Sequence, residues 1–132
     1  MAFVCIVDDD ASVRKSLGNL LRSAGHETAS FDCGEALLQS PSVQDATCIL
    51  LDLKMKGMSG LEVQRSLRTR GQLVPIVFMS AHGDEESMRR AFEDGAVEFL
   101  KKPFSVELLL GLIETIASEG RSPTPDGTSL SQ

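Results

Sequence analysis

Hydrophobic positions along the chain follow two alternating patterns. Short, mostly apolar runs occur at Phe3-Val4-Cys5-Ile6-Val7, Ile49-Leu50-Leu51, Ile76-Val77-Phe78-Met79 and Val97-Glu98-Phe99-Leu100. Between them, apolar residues recur every three or four positions. The runs read as buried strands, and the spaced positions read as the inward faces of helices.

In chain order, residues 3–7 predict a strand ended by Asp8-Asp9-Asp10. Val13, Leu17, Leu20, Leu21 and Ala24 then predict a helix, capped by Asp10 and stopped by Gly25. Residues 26–31 predict a short second strand, with His26, beside the helix-ending glycine, expected in a surface loop. Residues 33–39 predict a short helix closed by Ser40-Pro41. Residues 47–51 give the third strand, and Gly57-Met58-Ser59-Gly60 a loop in which Ser59 caps a helix carrying Leu61, Val63 and Leu67. Gly71 ends that helix, and Val74-Pro75 leads into the fourth strand, where proline is tolerated at the first residues. Asp84 is the expected cap of a helix with Met88, Ala91, Phe92 and Gly95 on one face. Residues 96–100 form the fifth strand, and Ser105 caps a last helix with Leu108, Leu109, Leu112, Ile113 and Ile116 inward.

Strands alternating with helices predict an α/β fold, a five-stranded parallel sheet with helices on both faces. Right-handed crossovers then place every strand's carboxyl end along one edge, where such folds bind ligands at the topological switch point. After Ser118 the composition shifts to Gly120-Arg121-Ser122-Pro123-Thr124-Pro125-Asp126-Gly127, with Leu130 the one large apolar residue to the end. Residues 1–119 are therefore expected to form one domain, and residues 120–132 a disordered tail or a linker to an output domain absent from the chain.

Composition narrows the class. At 132 residues, 42% hydrophobic and 24% charged, the chain reads as a soluble globular domain. No apolar run approaches the ~20 residues of a membrane helix, and Asp8 arrives too early for a signal peptide, so no membrane contact and a cytoplasmic location are expected. Cys5, Cys33 and Cys48 lack metal-ligand spacing and are expected to be buried reduced thiols. A formal net charge of −6 argues against direct nucleic-acid binding.

The polar residues at the strand ends carry the chemistry. Asp52 ends the third run alone, Asp8 and Asp9 end the first, Ser80 follows the fourth and Lys102 the fifth. Three carboxylates at one edge repel one another and call for a cation. An all-oxygen donor set without histidine or cysteine suits a hard divalent ion, magnesium above all. With a lysine ammonium and a serine hydroxyl alongside, the set suits a phosphoryl group. Asp52, standing alone, is then the phosphoryl acceptor, with Asp8 and Asp9 on the ion.

These residues carry a resemblance. Val7-Asp8-Asp9-Asp10, Asp52 followed by Met55 and Gly60, Ser80-Ala81, Phe99 and Lys102-Pro103-Phe104 together resemble the receiver domain of two-component response regulators, over about residues 2–119. The stretches 74–84 and 95–100 are most similar to receivers preceding a helix-turn-helix DNA-binding output domain. The resemblance implies a flavodoxin-like (βα)5 doubly wound fold and phosphorelay signal transduction. A sensor histidine kinase would supply the phosphoryl group to Asp52, and the protein would be a phosphoacceptor switch rather than an enzyme.

It further implies that Asp8, Asp9, Asp52 and the backbone carbonyl of Lys54 bind Mg2+, that Lys102 and Ser80 contact phosphoryl oxygens, and that Lys102-Pro103 is cis. Ser80 and Phe99 would form the switch, with Phe99 turning inward as the surface of residues 84–118 changes. That surface would support a homodimer on phosphorylation, and transcription regulation would follow through the output domain. Two departures stand out. Lys56 replaces the family's usual proline, which implies a more mobile loop, and Lys54 and His82 flank the site at variable positions that tune phosphorylation kinetics. Two other classes are open: a haloacid-dehalogenase-like phosphatase using Asp8, which would lack a later acidic pair and leave Asp52 without a role, and a phosphorylation-independent binding module.

Overall fold

A computed structural model describes residues 2–81 and 85–119. The expected cap Asp84, the flanking His82 and the tail 120–132 lie outside the described residues. The strands are β1 (Phe3–Val7), β2 (Glu27–Phe31), β3 (Cys48–Asp52), β4 (Ile76–Ser80) and β5 (Glu98–Lys101). They alternate with helices α1 (Ala11–Ser23), α2 (Gly34–Gln39), α3 (Gly60–Thr69), α4 (Glu85–Glu93) and α5 (Val106–Ser118). A 3-10 turn, Pro41–Asp45, which the apolar pattern did not predict, follows α2; Ser40 caps it and Pro41 supplies a fixed φ at its start. All strand pairs are parallel, in the order β2-β1-β3-β4-β5. The strand order reverses between β1 and β3.

Alternation along the strands builds two cores. Cys5, Val7, Ile49, Leu51, Phe78 and Phe99 point to one face, beneath Leu37 of α2, Val63 and Leu67 of α3, and Ala91 of α4. Val4, Ile6, Leu50, Val77, Met79 and Leu100 point to the other, beneath Leu17 and Leu21 of α1 and Leu109, Ile113 and Ile116 of α5. Both faces of β3 and β4 are buried throughout, which is why those strands read as continuous apolar runs. Three of the predicted caps hold: Asp10 Oδ1 accepts from the N–H of Ser12 at 2.8 Å, Ser59 closes a reciprocal capping box with Glu62, and Ser105 Oγ accepts from the N–H of Leu108 at 2.9 Å.

Four expectations need correction. His26 is not on a surface loop; it is 7% exposed, and its Nδ1 accepts the N–H of Ala2 at 3.0 Å, because the residue preceding β1 needs an acceptor there. Cys33 is only half-buried, although all three thiols are free, and burial raises the Cys5 and Cys48 thiols to about 11 and about 12. On α4, Ala91 is the buried residue, while Phe92 is 43% exposed and Gly95 lies beyond the helix with φ +101. Leu108 of α5 is 54% exposed, one position off the stripe formed by Leu109, Ile113 and Ile116. No helix among the described residues is long and apolar enough to cross a membrane.

Candidate functional site

The reversal between β1 and β3 places the carboxyl ends of the two central strands side by side, and each delivers acid. Asp8 and Asp9 follow β1; Asp52 is the last residue of β3. Ligating oxygens of all three lie within 4.8 Å of one another. Asp8 and Asp52 are buried and Asp9 is exposed. α3 begins close beneath this edge: a Cβ added at Gly60 would stand 2.5 Å from the Asp52 carbonyl oxygen and 3.0 Å from the Phe78 ring. Only glycine lets the helix start so near the acid-bearing strand.

Lys102 arrives from the far side, just past β5. Its backbone N–H donates to the Ser80 carbonyl at 2.9 Å, extending the β4–β5 pairing by one step, and its bond to Pro103 is cis, as expected. The ammonium donates to Asp8 Oδ2 at 2.9 Å and stands 3.9 Å from Asp52 Oδ1. It is a partner of Asp8 first and of Asp52 second. Ser80, at the end of β4, is buried at the same edge.

The Asp52 carboxyl is pushed up from its ordinary value of 3.8 to about 6. Burial is the largest cause; Asp8 adds to it, Lys102 and a hydrogen bond from the Lys54 backbone oppose it, and Asp9 adds a smaller rise. The mutual repulsion predicted for the acids is thus present, second to desolvation. An acid raised in this way is one whose charged form the protein leaves undersupported. A divalent cation would supply that support.

The set fits such an ion: three carboxylates within reach of one point, with no nitrogen or sulfur ligand among them. Asp10 N–H donates to Asp8 Oδ1 at 2.9 Å and Lys56 N–H to Asp9 Oδ2 at 3.2 Å, two bonds that sequence spacing did not predict. The Lys56 bond also offers the loop a tie in place of the lock that a proline would give. Lys54 is exposed.

Phe99 sits behind the site. Its ring is 7% exposed and stacks on Phe78 with centroids 6.2 Å apart, so the aromatic proposed to turn inward is already inward here.

Comparison with known proteins decides the family. Residues 4–114 match the family model described as the response regulator receiver domain. The chain belongs to the response regulator receiver family. Among relatives of this receiver domain, it is 38% identical over 132 residues to response regulator protein TodT of Pseudomonas putida, covering 98% of this chain and 58% of TodT. It is 36% identical over 112 residues to transcriptional regulatory protein FixJ of Bradyrhizobium diazoefficiens, covering 85% of this chain and 55% of FixJ. Among solved structures, response regulator StyR superposes with a TM-score of 0.81 at 44% identity, over 90% of this chain and 61% of StyR. The chain therefore spans little more than half the length of these curated relatives. The receiver match supports phosphorelay signalling as the function, and neither the phosphatase nor the phosphorylation-independent module is favoured by it.

Proposed function

We propose that this receiver domain accepts a phosphoryl group on Asp52 from the phosphohistidine of a sensor histidine kinase. The observation that carries the reading is the convergence of Asp8, Asp9, Asp52 and Lys102 at one sheet edge, with Asp52 a buried acid whose carboxyl is pushed up to about 6. An Asp52 carboxylate oxygen attacks phosphorus, the P–N bond breaks, and its electron pair leaves with the imidazole. At neutral pH a carboxyl with a pKa of about 6 is mostly ionised and able to attack.

Asp8, Asp9 and Asp52, with the backbone carbonyl of Lys54, would hold Mg2+. When bound, that ion neutralises carboxylate charge and polarises the phosphoryl oxygens. Lys102, already within 3.9 Å of Asp52, pairs with a phosphoryl oxygen, and Ser80 contacts another. Phe99 and Ser80 link the site to the surface of residues 84–118, where exposed Phe92, Val97 and Leu108 are available to a second copy of the chain. The protein acts as a cytoplasmic phosphoacceptor switch, at most catalysing its own phosphorylation and dephosphorylation, and reaches DNA through an output domain outside this chain. The name of FixJ, a transcriptional regulatory protein, supports that output.

The test is labelling with a small-molecule phosphodonor and Mg2+. The parent is expected to take up phosphate and Asp52→Asn is not. Equal labelling of the two proteins would remove Asp52 from the mechanism, and labelling lost on substitution of Asp8 but not of Asp52 would revive the phosphatase reading.

A further inference from the structure

Asp8 and Asp9 are neighbours in sequence and unequal in support. The Asp8 carboxylate is buried and receives the Asp10 N–H and the Lys102 ammonium, while Arg14 Nη1 donates to the Asp8 carbonyl at 2.7 Å. The Asp9 carboxylate is exposed. Among the described residues it receives one hydrogen bond, from the backbone N–H of Lys56 at 3.2 Å. Lys56 lies four residues beyond Asp52 in the loop between β3 and α3, just before Gly57 turns the chain with φ +76. That bond ties the loop after β1 to the loop after β3, across the point where the strand order reverses.

We infer that the backbone N–H of Lys56 is a positioning group that holds Asp9 facing Asp8 and Asp52 and so prepares the cluster for a divalent cation. The inference rests on the reading of these acids as a cation site. An exposed aspartate is free to rotate, and repulsion from two neighbouring carboxylates drives it outward into water. A donor on the opposite loop opposes that drift and lowers the ordering cost of capture. By the reciprocity of linkage, an ion that gathers Asp9 also fixes the loop that carries Lys54 and Lys56. The side chain of Lys56 has no part in the contact; the group that matters is an N–H, which every residue except proline carries.

Lys56→Ala and Lys56→Pro therefore separate the two. Both lose the ammonium, and only the second loses the N–H. Titrated calorimetrically with Mg2+, Lys56→Pro is expected to bind roughly three- to tenfold more weakly than Lys56→Ala, less than the ~10- to 100-fold lost when a group orienting a metal ligand is removed, because this contact is exposed. Equal affinities overturn the inference. If neither the parent nor Lys56→Ala binds Mg2+, the cation reading fails and the role assigned to Lys56 goes with it.

Since proline can disturb a loop by itself, amide exchange in the unaltered loop supplies a second measurement. In the metal-free protein the Lys56 amide is expected to exchange roughly two- to twelvefold more slowly than in Asp9→Ala, the protection that one net hydrogen bond gives. Equal exchange rates show that the tie does not form, whatever the metal does.

Discussion

Replacing the proposed phosphoacceptor with its neutral isostere should stabilise the metal-free protein. Asp52→Asn removes a buried charge and keeps the shape of the side chain. Raising the carboxyl from 3.8 to about 6 means that ionising Asp52 costs more in the folded chain than in the unfolded one. At about 1.4 kcal/mol per decade, that difference amounts to about 3 kcal/mol. The sign follows from proton linkage. A folded pKa above the unfolded one makes the native state the better proton binder, so this group's contribution to stability falls as pH rises from about 4 through about 6.

Below pH 4 the carboxyl is protonated in both states and the parent and variant should be alike in this term. Above pH 6 the full difference of about 3 kcal/mol should appear, or roughly 10 °C in melting temperature for a domain of this size. The assay is urea unfolding of both proteins in chelator, at intervals from pH 4 to 8. Adding Mg2+ should narrow the gap, since ligand at 100 times its dissociation constant stabilises the parent by about 2.7 kcal/mol. A variant no more stable than the parent at pH 7 in chelator would refute the reasoning. So would a gap that stays constant down to pH 4, because it would have to come from something other than ionisation.

Two further predictions concern how the fold serves the site. Gly60→Ala puts a Cβ 2.5 Å from the Asp52 carbonyl, a backbone atom that cannot rotate away, so unfolding free energy should fall by roughly 1–3 kcal/mol and phosphate uptake should fall with it; undiminished denaturant stability would contradict the close approach. His26→Leu leaves the Ala2 N–H buried without its acceptor and should cost about 1–3 kcal/mol, whereas His26→Asn, which retains an acceptor oxygen, should recover part of the loss; identical melts for the two variants would show that the ring matters only as volume.

Much of this was legible because the alternation of apolar runs and helical spacing maps directly onto burial. β3 and β4, buried on both faces, produce unbroken apolar runs, and an acid or hydroxyl ending such a run can lie only at the sheet edge. Hence Asp8, Asp52 and Ser80 were identifiable one by one, and Lys102 by its position after β5. Contacts between side chains and distant backbone left no such trace. Nothing local to His26 shows that Ala2, 24 residues away, needs an acceptor, and nothing in the spacing shows that the N–H of Lys56 reaches Asp9, 47 residues away. Amphipathic period misleads where a helix faces a partner or solvent with apolar residues. Phe92 and Leu108 fit a helical stripe by count, yet stand outside it.

The charge balance of the site bears on its order of events. Among the described residues three carboxylates converge with the Lys102 ammonium, an excess of negative charge that a divalent cation would offset. The Lys102 ammonium sits on Asp8 at 2.9 Å, the buried acid that also receives the Asp10 N–H, rather than on Asp52 at 3.9 Å. On the proposed reading a phosphoryl group adds still more negative charge, about −1.5 to −2 for a phosphorylated side chain near neutral pH, and it does so at Asp52. A cation bound to Asp8 and Asp9 would repel the ammonium from Asp8 while the new phosphoryl oxygens attract it toward Asp52. On that reading the partner choice of Lys102 would follow the cation and the phosphoryl group together, and without a divalent ion the clustered carboxylates would oppose the arrival of further negative charge at Asp52.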